Sequence, residues 1–351
     1  MQGEASQWWY EPAPFVLFYC ETLMRSLFQT PKQLLLGTML AAVIGTATTA
    51  SAQTYPDRTI EWVVPYPAGG GTDIVARTLA QAMSDTLKQS MVIVNKPGAA
   101  TNIGAEYVAR AKNDGYVLLS ADTATLAANP FIYSNLSYDA AKDFASIGLT
   151  VRFPMILVVN PEVPAKNLEE FIAWAKTKGE VPYATPGSGS PHHLASELFR
   201  EMAGVTLSHI PYRGAAPAVQ DVVGGQVPFM FVDTASGQQF ISSGRLRPIG
   251  IASLERVDSF SNVPTLDEQG LKGFEAYAWQ GLVVPAGTPA PVIETLNKAL
   301  RAAMDSSAVK EKLIALGLEA TPSTPAQMDE FAASEREKWG KVIKASGIKV
   351  D

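Results

Sequence analysis

Two glycine-rich segments carry residue types that can hold a small anion without a charged side chain. The first reads Pro-Tyr-Pro-Ala-Gly-Gly-Gly-Thr-Asp over residues 65–73, and the second reads Thr-Pro-Gly-Ser-Gly-Ser-Pro over residues 185–191. Each follows a strand-like run and precedes a helix-like run. Glycine lets the backbone approach a ligand closely, and the free N–H groups at a helix start favour an anion. The two segments together predict an anion-binding clamp.

Other chemistry at these loops is less well supported. The first loop does not match G-x-G-x-x-G, and no G-K-[ST] follows it, so no nucleotide phosphate is indicated. Asp73 has either of two roles, a helix cap or an acceptor for water or a ligand donor. Ser190 followed by Pro191 fits an N-cap and a first helical residue. An ordinary capped turn is the alternative for both loops.

Smaller candidates follow other strand-like runs. Residues 120–125 offer hydroxyls and free backbone, and Tyr212 precedes Arg213, which is either a carboxylate partner or a surface residue. The predicted ligand-binding residues, taken together, are Tyr66, Ala68, Gly69, Gly70, Asp73, Ala121, Thr123, Thr185, Gly187, Ser188, Ser190, His193, Tyr212 and Asp233.

The histidines raise two further hypotheses, a serine hydrolase and a metal site. The sequence has three histidines, and His192 and His193 follow the second loop. No G-x-S-x-G elbow frames a serine, and no third ligand stands at metal-binding spacing. His193 is predicted to donate a hydrogen bond near the loop and His192 to be solvated. We therefore predict no catalytic residue, no metal and no cofactor.

Composition limits the partners. The chain has 351 residues, of which 47% are hydrophobic and 18% charged, with a formal net charge of -6. Nucleic-acid-binding proteins usually carry a basic patch, and here lysine and arginine are scattered. Nucleic acid is therefore not an expected partner, and we expect a monomer.

The N-terminal region is typical of an export signal. Arg25 and Lys32 form a basic region, residues 34–45 an apolar one, and residues 50–52 an A-x-A cleavage site before Gln53. Residues 1–52 are thus predicted to be an N-terminal extension and a cleaved signal peptide, with the mature protein periplasmic. A membrane anchor is the alternative, but the apolar run is short for a span.

Strand-like runs alternate with amphipathic helix-like runs through the rest of the chain, which predicts an α/β fold with mainly parallel sheets. Ligands in such folds lie at the carboxyl ends of the strands. The apolar segments Ile147–Val159 and Leu246–Ala252 are candidates for strands that cross between two lobes. We expect residues 53–153 plus 254–351 to form lobe 1 and residues 154–253 to form lobe 2.

The chain resembles the periplasmic substrate-binding proteins of tripartite tricarboxylate transporters, the Bug receptors. The matching pieces run in order from residue 55 to 289 and include P-Y-P-A-G-G-G-T-D (65–73), N-K-P-G-A-A (95–100), H-H-L-A-S-E-L-F (192–199) and W-Q-G-L-V-V-P-A-G-T-P (279–289). The resemblance implies a two-lobed, hinged periplasmic-binding-protein fold that holds a carboxylated ligand through the two loops, with backbone amides and water. Arg213 stands where the family usually has lysine.

The resemblance implies a receptor that captures a mono-, di- or tricarboxylate, aromatic acids included, for a tripartite tricarboxylate-type transporter. Its partners would be the integral-membrane subunits of that transporter. The alternatives are a receptor of the same fold that feeds a signalling relay, and an exported hydrolase.

Overall fold

The computed structural model describes residues 55–350, in which strands and helices alternate. The predicted export signal lies outside the described residues. The strands are β1 (Ile60–Val64), β2 (Met91–Asn95), β3 (Val117–Asp122), β4 (Phe144–Val159), β5 (Glu180–Thr185), β6 (Thr206–Pro211), β7 (Phe229–Asp233), β8 (Arg247–Ile251), β9 (Tyr277–Pro285) and β10 (Glu319–Ala320).

The helices cover both faces of the sheet and connect its strands. They are α1 (Gly71–Leu87), α2 (Asn102–Ala109), α3 (Asn129–Ile132), α4 (Leu168–Lys178), α5 (Pro191–Ala203), α6 (Ala215–Val223), α7 (Thr234–Ser242), α8 (Ala290–Asp305), α9 (Ser307–Ala315) and α10 (Pro325–Ser346). A π-helical turn, Ala124–Ala128, precedes α3. The predicted α/β class is confirmed.

The sheet is mixed, with the strand order β2-β1-β3-β9-β4-β7-β5-β6 and with β8 and β10 paired to β4. The β1–β2, β1–β3, β5–β6 and β5–β7 pairs are parallel. The sheet is less parallel than predicted, because β4 and β9 run antiparallel to each other and to the strands beside them.

Strand β4 joins two halves of this sheet. Its first part, Phe144–Pro154, pairs with β9, and its last part, Met155–Val159, pairs with β7 and β8. The predicted crossing segment Ile147–Val159 thus lies within a single strand that belongs to both halves. In contrast, β8 pairs with β4 in the second half alone, and the chain then continues through Ala252, whose N–H donates to the Met155 carbonyl at 2.8 Å. The proposed lobe boundaries stay a prediction.

The carboxyl ends of the two halves face each other across β4. Asp122 at the end of β3 is level with Gln280, which pairs with Val151 of β4. Asp233 at the end of β7 pairs with Met155. Since β3 and β7 run in opposite directions, their carboxyl ends point toward each other over residues 151–155. Four residues of a strand span about 13 Å, which leaves room for a small ligand.

The C-terminal helix α10 is attached to the first sheet half through a buried carboxylate. Glu335 is 4% exposed and accepts hydrogen bonds from the indole nitrogens of Trp279 at 3.0 Å and Trp339 at 2.8 Å. Both tryptophans are fully buried and are part of the core. Thr324 and Gln327 cap this helix reciprocally.

Candidate functional site

The first glycine loop is closed by Asp73. Its Oδ2 accepts from the Gly69 N–H and from Arg77 Nε, both at 2.9 Å, and its Oδ1 accepts from Asn95 Nδ2 at 2.9 Å. Gly69 has φ 84°, a left-handed conformation that favours glycine. Burial by itself would raise the pKa of Asp73, but the hydrogen bonds from Arg77, Gly69 and Asn95 outweigh it and lower the pKa to about 2. Asp73 therefore supports the loop and presents no free carboxylate.

We expect Asp73→Asn to lower the free energy of unfolding at pH 7 by about 1–2 kcal/mol, a figure reduced because Arg77 is half exposed. A lowered pKa stabilises the fold above the unfolded value near 4, and that contribution is lost as the pH falls toward 2. The difference from wild type should therefore shrink between pH 7 and pH 3 in urea unfolding. Asp85→Asn, at an exposed position of α1, is the control, and an equal effect of the two substitutions would contradict this account.

The start of α1 is open to a ligand. Gly70 precedes the helix in an extended conformation, and no side chain caps it. Ala68, Gly69, Gly70 and Gly71 are all exposed. A Cβ on Gly71 would lie 3.2 Å from the Phe153 ring of β4, so the backbone there lies close above the floor of the site. The first N–H groups of α1 are thus the ready anion donors of this half.

Tyr66 and Asp122 join the ends of β1 and β3. The Tyr66 hydroxyl donates to Asp122 Oδ2, and Oδ1 accepts from the Thr125 N–H at 2.8 Å and its hydroxyl at 2.9 Å. Burial raises the pKa of both Tyr66 and Asp122. Ala121 and Thr123 are fully buried, and the Thr123 hydroxyl accepts from the Trp279 N–H at 3.1 Å. These residues therefore form the buried edge of the site at the end of β3.

The second loop is held at both of its ends. The Thr185 carbonyl accepts from the Tyr212 N–H at 2.9 Å, and its hydroxyl accepts from the Gly187 N–H at 3.3 Å. Ser190 caps α5 by accepting from the His193 N–H at 3.3 Å. Ser188, between them, is exposed, and its hydroxyl bonds to nothing in residues 55–350. Ser188 is therefore the free hydroxyl of this loop, whereas Ser190 is occupied by the helix.

Two imidazoles lie against this loop. His193 Nδ1 accepts from the Gly189 N–H at 3.0 Å, which corrects the prediction that His193 donates. The His193 and His209 rings stack at 3.7 Å. His209 Nε2 lies 2.6 Å from the Thr185 hydroxyl. His209 is not among the predicted ligand-binding residues, because its separation of 24 residues from Thr185 along the chain hides the contact.

His192 is buried, not solvated as predicted. Its Nε2 lies 3.3 Å from Asp233 Oδ2, and Oδ1 of that carboxylate accepts from the Ser236 N–H at 2.9 Å. The ring faces inward because Asp233, at the end of β7, offers the ring's Nε2 a buried carboxylate. Burial would raise the pKa of Asp233, but its hydrogen bonds to His192 and Ser236 outweigh this effect and lower the pKa. Asp233 thus caps α7 and, through its contact with His192, links α7 to α5.

The remaining polar candidates differ in whether their side chains already have a hydrogen-bond partner in the described residues. The Tyr212 hydroxyl donates to Asp221 at 2.7 Å, so this side chain is committed to α6. Arg213 is exposed and has no side-chain partner in the described part of the chain. The Gln280 side chain donates to the Thr72 hydroxyl above the floor. The open groups at the two loops are accordingly backbone N–H groups, the Ser188 hydroxyl and the Arg213 guanidinium.

The site has neither a serine–histidine pair nor a metal-ligand cluster among residues 55–350. The imidazoles there contact Thr185, Gly189, Asp233 and each other, and no serine hydroxyl bonds to one. No group of three or more His, Cys, Asp or Glu in this range could hold a metal ion. None of the helices in the same range combines the length and apolarity needed to cross a bilayer.

Comparison with known proteins gives consistent matches. Residues 75–348 match the family described as the tripartite tricarboxylate transporter family receptor. The chain is 37% identical over 311 residues to Protein BugT of Bordetella pertussis, covering 88% of this chain and 95% of that protein. It is also similar to the solved structure of R. palustris Rpa4515 with adipate, with 32% identity, a TM-score of 0.77, and coverage of 84% of this chain and 100% of the other.

A second solved structure is that of MatC from Rhodopseudomonas palustris with bound malate. It is 32% identical, with a TM-score of 0.73, and the match covers 82% of this chain and 100% of that one. Periplasmic binding protein BugD gives 37% identity and a TM-score of 0.74 over 84% of this chain and all of that one. The similarity therefore extends over most of the described residues, and the family match includes the second loop.

Proposed function

The chain belongs to the tripartite tricarboxylate transporter family of receptors, and from this premise we propose that it is a periplasmic receptor that captures a small carboxylated molecule. The observation that carries the proposal is that both glycine-rich loops follow parallel strands, β1 and β5, at the carboxyl ends of the two sheet halves that face each other across β4. One loop opens the uncapped helix α1, and the other presents the free hydroxyl of Ser188. Groups of this kind suit a carboxylate.

We propose further that the receptor delivers its ligand to the integral-membrane subunits of a tripartite tricarboxylate-type transporter. The ligand is a mono-, di- or tricarboxylate, bound without metal or cofactor by a monomer. The basic, apolar and A-x-A order of residues 25–52 supports export to the periplasm. A receptor of the same fold that feeds a signalling relay is the second candidate, since capture of the ligand is the same in both.

The test is a thermal-shift screen over mono-, di- and tricarboxylates, adipate and malate included, followed by calorimetry on each hit. A ligand at 100-fold its dissociation constant adds about 2.7 kcal/mol of stability, which shifts the melting temperature by several degrees. Turnover of the hits would indicate a hydrolase. Uptake that survives deletion of the membrane subunits would favour signalling. A screen without a carboxylate hit counts against the proposal.

We expect ligand to close the two predicted lobes over the loops by bending at the residues that connect the sheet halves. The reason is that a ligand can meet both loops at once only when they approach each other over the floor formed by Phe153. X-ray scattering should therefore give a smaller radius of gyration at saturating ligand than without it. Identical radii in the two conditions would argue against a hinge.

A further inference from the structure

The second loop depends on two side chains that lie behind it. His193 accepts from the Gly189 N–H, and His209 contacts the Thr185 hydroxyl, so each imidazole holds one residue of the loop. The two rings are 3.7 Å apart and inclined by 12°. Tyr183 lies beside both rings, with its centroid 5.3 Å from that of His209 and 6.1 Å from that of His193. The three rings, from β5, β6 and α5, form one cluster, and we call the stacked His193–His209 pair within it the imidazole brace.

We propose that the imidazole brace positions the second loop for ligand binding, and that it does so only while both rings are uncharged. This inference rests on the proposed function, because it assumes that the ligand meets residues 185–190. His193 and His209 act through Gly189 and Thr185 in this proposal, so they are positioning residues.

The loop needs such support because its own conformation is weakly determined. Gly187 has φ 148° and Gly189 has φ 74°, and glycine loses more conformational freedom on ordering than other residues do. Ser188 lies between them, exposed and without a partner within residues 55–350. Fixing Thr185 on one side and Gly189 on the other limits where the Ser188 hydroxyl and N–H can point. A preformed loop binds a ligand without first paying the entropy of ordering.

The hydrogen bond at Gly189 defines the protonation state. Nδ1 of His193 accepts an N–H, so this nitrogen carries no proton and Nε2 carries the ring's only one. An imidazolium would oppose one N–H to another. Two charged rings stacked at 3.7 Å would also repel each other. Burial, and then the neighbouring His209, lower the pKa of His193 to about 3, and burial lowers the pKa of His209.

The charged groups around the brace do not favour protonation of either imidazole. Glu197 of α5 accepts from the Tyr183 hydroxyl at 2.7 Å and from Arg200 at 2.8 Å, so its charge is already paired. Arg200 and Lys349, which adds a further positive charge, line the same groove of about 530 Å³ as the two imidazoles. Glu197 raises the pKa of His209, but burial lowers it more. The surroundings thus keep the brace neutral.

The test uses the full chain labelled with ¹⁵N and three brace variants. His193→Ala removes the acceptor, His193→Asn keeps an acceptor at the same branch position but cannot titrate, and His209→Gln keeps a polar group toward Thr185. Glu201→Gln, at an exposed site on α5, is the matched control. The readouts are the ring ¹⁵N shifts, hydrogen exchange at Gly189 and in β4, and calorimetry with adipate and malate from pH 8 to pH 6.

We expect His193 to remain neutral, with the proton on Nε2, down to pH 5. His193→Ala should speed exchange at Gly189 by about tenfold or more while exchange in β4 changes much less, since the lost bond is local. The same variant should weaken binding of the probe by about tenfold. The affinity of His193→Asn and of His209→Gln for the probe should stay within about threefold of wild type. Wild-type affinity should be constant from pH 8 to pH 6.

A His193 that titrates near its ordinary value, or a Gly189 amide whose exchange is unchanged in His193→Ala, overturns the inference. So does normal probe binding by His193→Ala, because the loop would then be positioned by other contacts. If neither probe binds wild type, the ring shifts and Gly189 exchange still decide whether the brace exists. The carboxylate screen then decides separately whether the proposed function fails.

Discussion

Glu335→Ala is expected to lower the free energy of unfolding by about 3–5 kcal/mol, the largest stability loss anticipated for a single side chain in this protein. Both indole N–H groups of Trp279 and Trp339 donate to the same oxygen, Oε2. Its removal leaves two buried donors without an acceptor, and a cavity beside them. Urea unfolding followed by tryptophan fluorescence measures the effect.

The same geometry predicts that Glu335→Gln is much milder, at about 1 kcal/mol. Glutamine retains one oxygen that can accept from both indoles, and it loses mainly the contact of Oε1 with Lys338 Nζ at 3.4 Å. Glu337→Ala, exposed on the same helix, should stay within about 0.5 kcal/mol of wild type. A loss below about 1 kcal/mol for Glu335→Ala would show that the two indoles find other acceptors.

Elements with strong local signals were predictable from the sequence. The start of the helix Leu168–Lys178 carries such a signal, because Asn167 caps it by accepting from the Glu170 N–H. The long apolar run of β4 was also evident. Strand β6 has a weaker local signal, because its sequence T-L-S-H-I-P alternates with polar residues and ends in proline, as suits the last strand of a sheet. Helices α6 and α7 are short and rich in small residues, which weakens their periodicity.

The position of the candidate site was predictable, whereas the hydrogen bonds within it were not. Gly-rich segments between a strand and a helix mark the carboxyl edge of a sheet, and both loops lie there. The partners of Asp73, Asp233 and Thr185 come from Asn95, His192 and His209, which the fold brings in from elsewhere in the chain. No local pattern encodes such contacts. They explain why three predicted ligand contacts have their polar groups engaged within the protein.

The second large effect concerns the ligand: Gly70→Val is expected to weaken carboxylate binding by about 100-fold or more, by obstructing the start of α1. Gly70 has φ -78° and ψ 168°, which valine adopts without strain. An added Cβ would meet only the Pro67 carbonyl, at 3.6 Å. Stability should therefore stay within about 0.5 kcal/mol of wild type. A loss of affinity without a loss of stability would identify the helix start as the place where the ligand lies.

The decisive comparison sets this variant and Ser188→Ala against Arg213→Ala in calorimetry with a hit from the carboxylate screen. Ser188→Ala should cost about 1–3 kcal/mol if its free hydroxyl meets the carboxylate in a closed, dry site. Arg213→Ala should change the affinity less than about threefold. Holding an exposed guanidinium in one position loses side-chain entropy, and its charge is screened by salt. Backbone N–H groups at a helix start are already aligned, so they hold an anion with little reorganisation. Affinity should then vary only weakly between about 0.05 and 0.5 M salt. If Arg213→Ala abolishes binding while Gly70→Val and Ser188→Ala bind normally, the ligand is held by an arginine and the neutral-donor site is wrong.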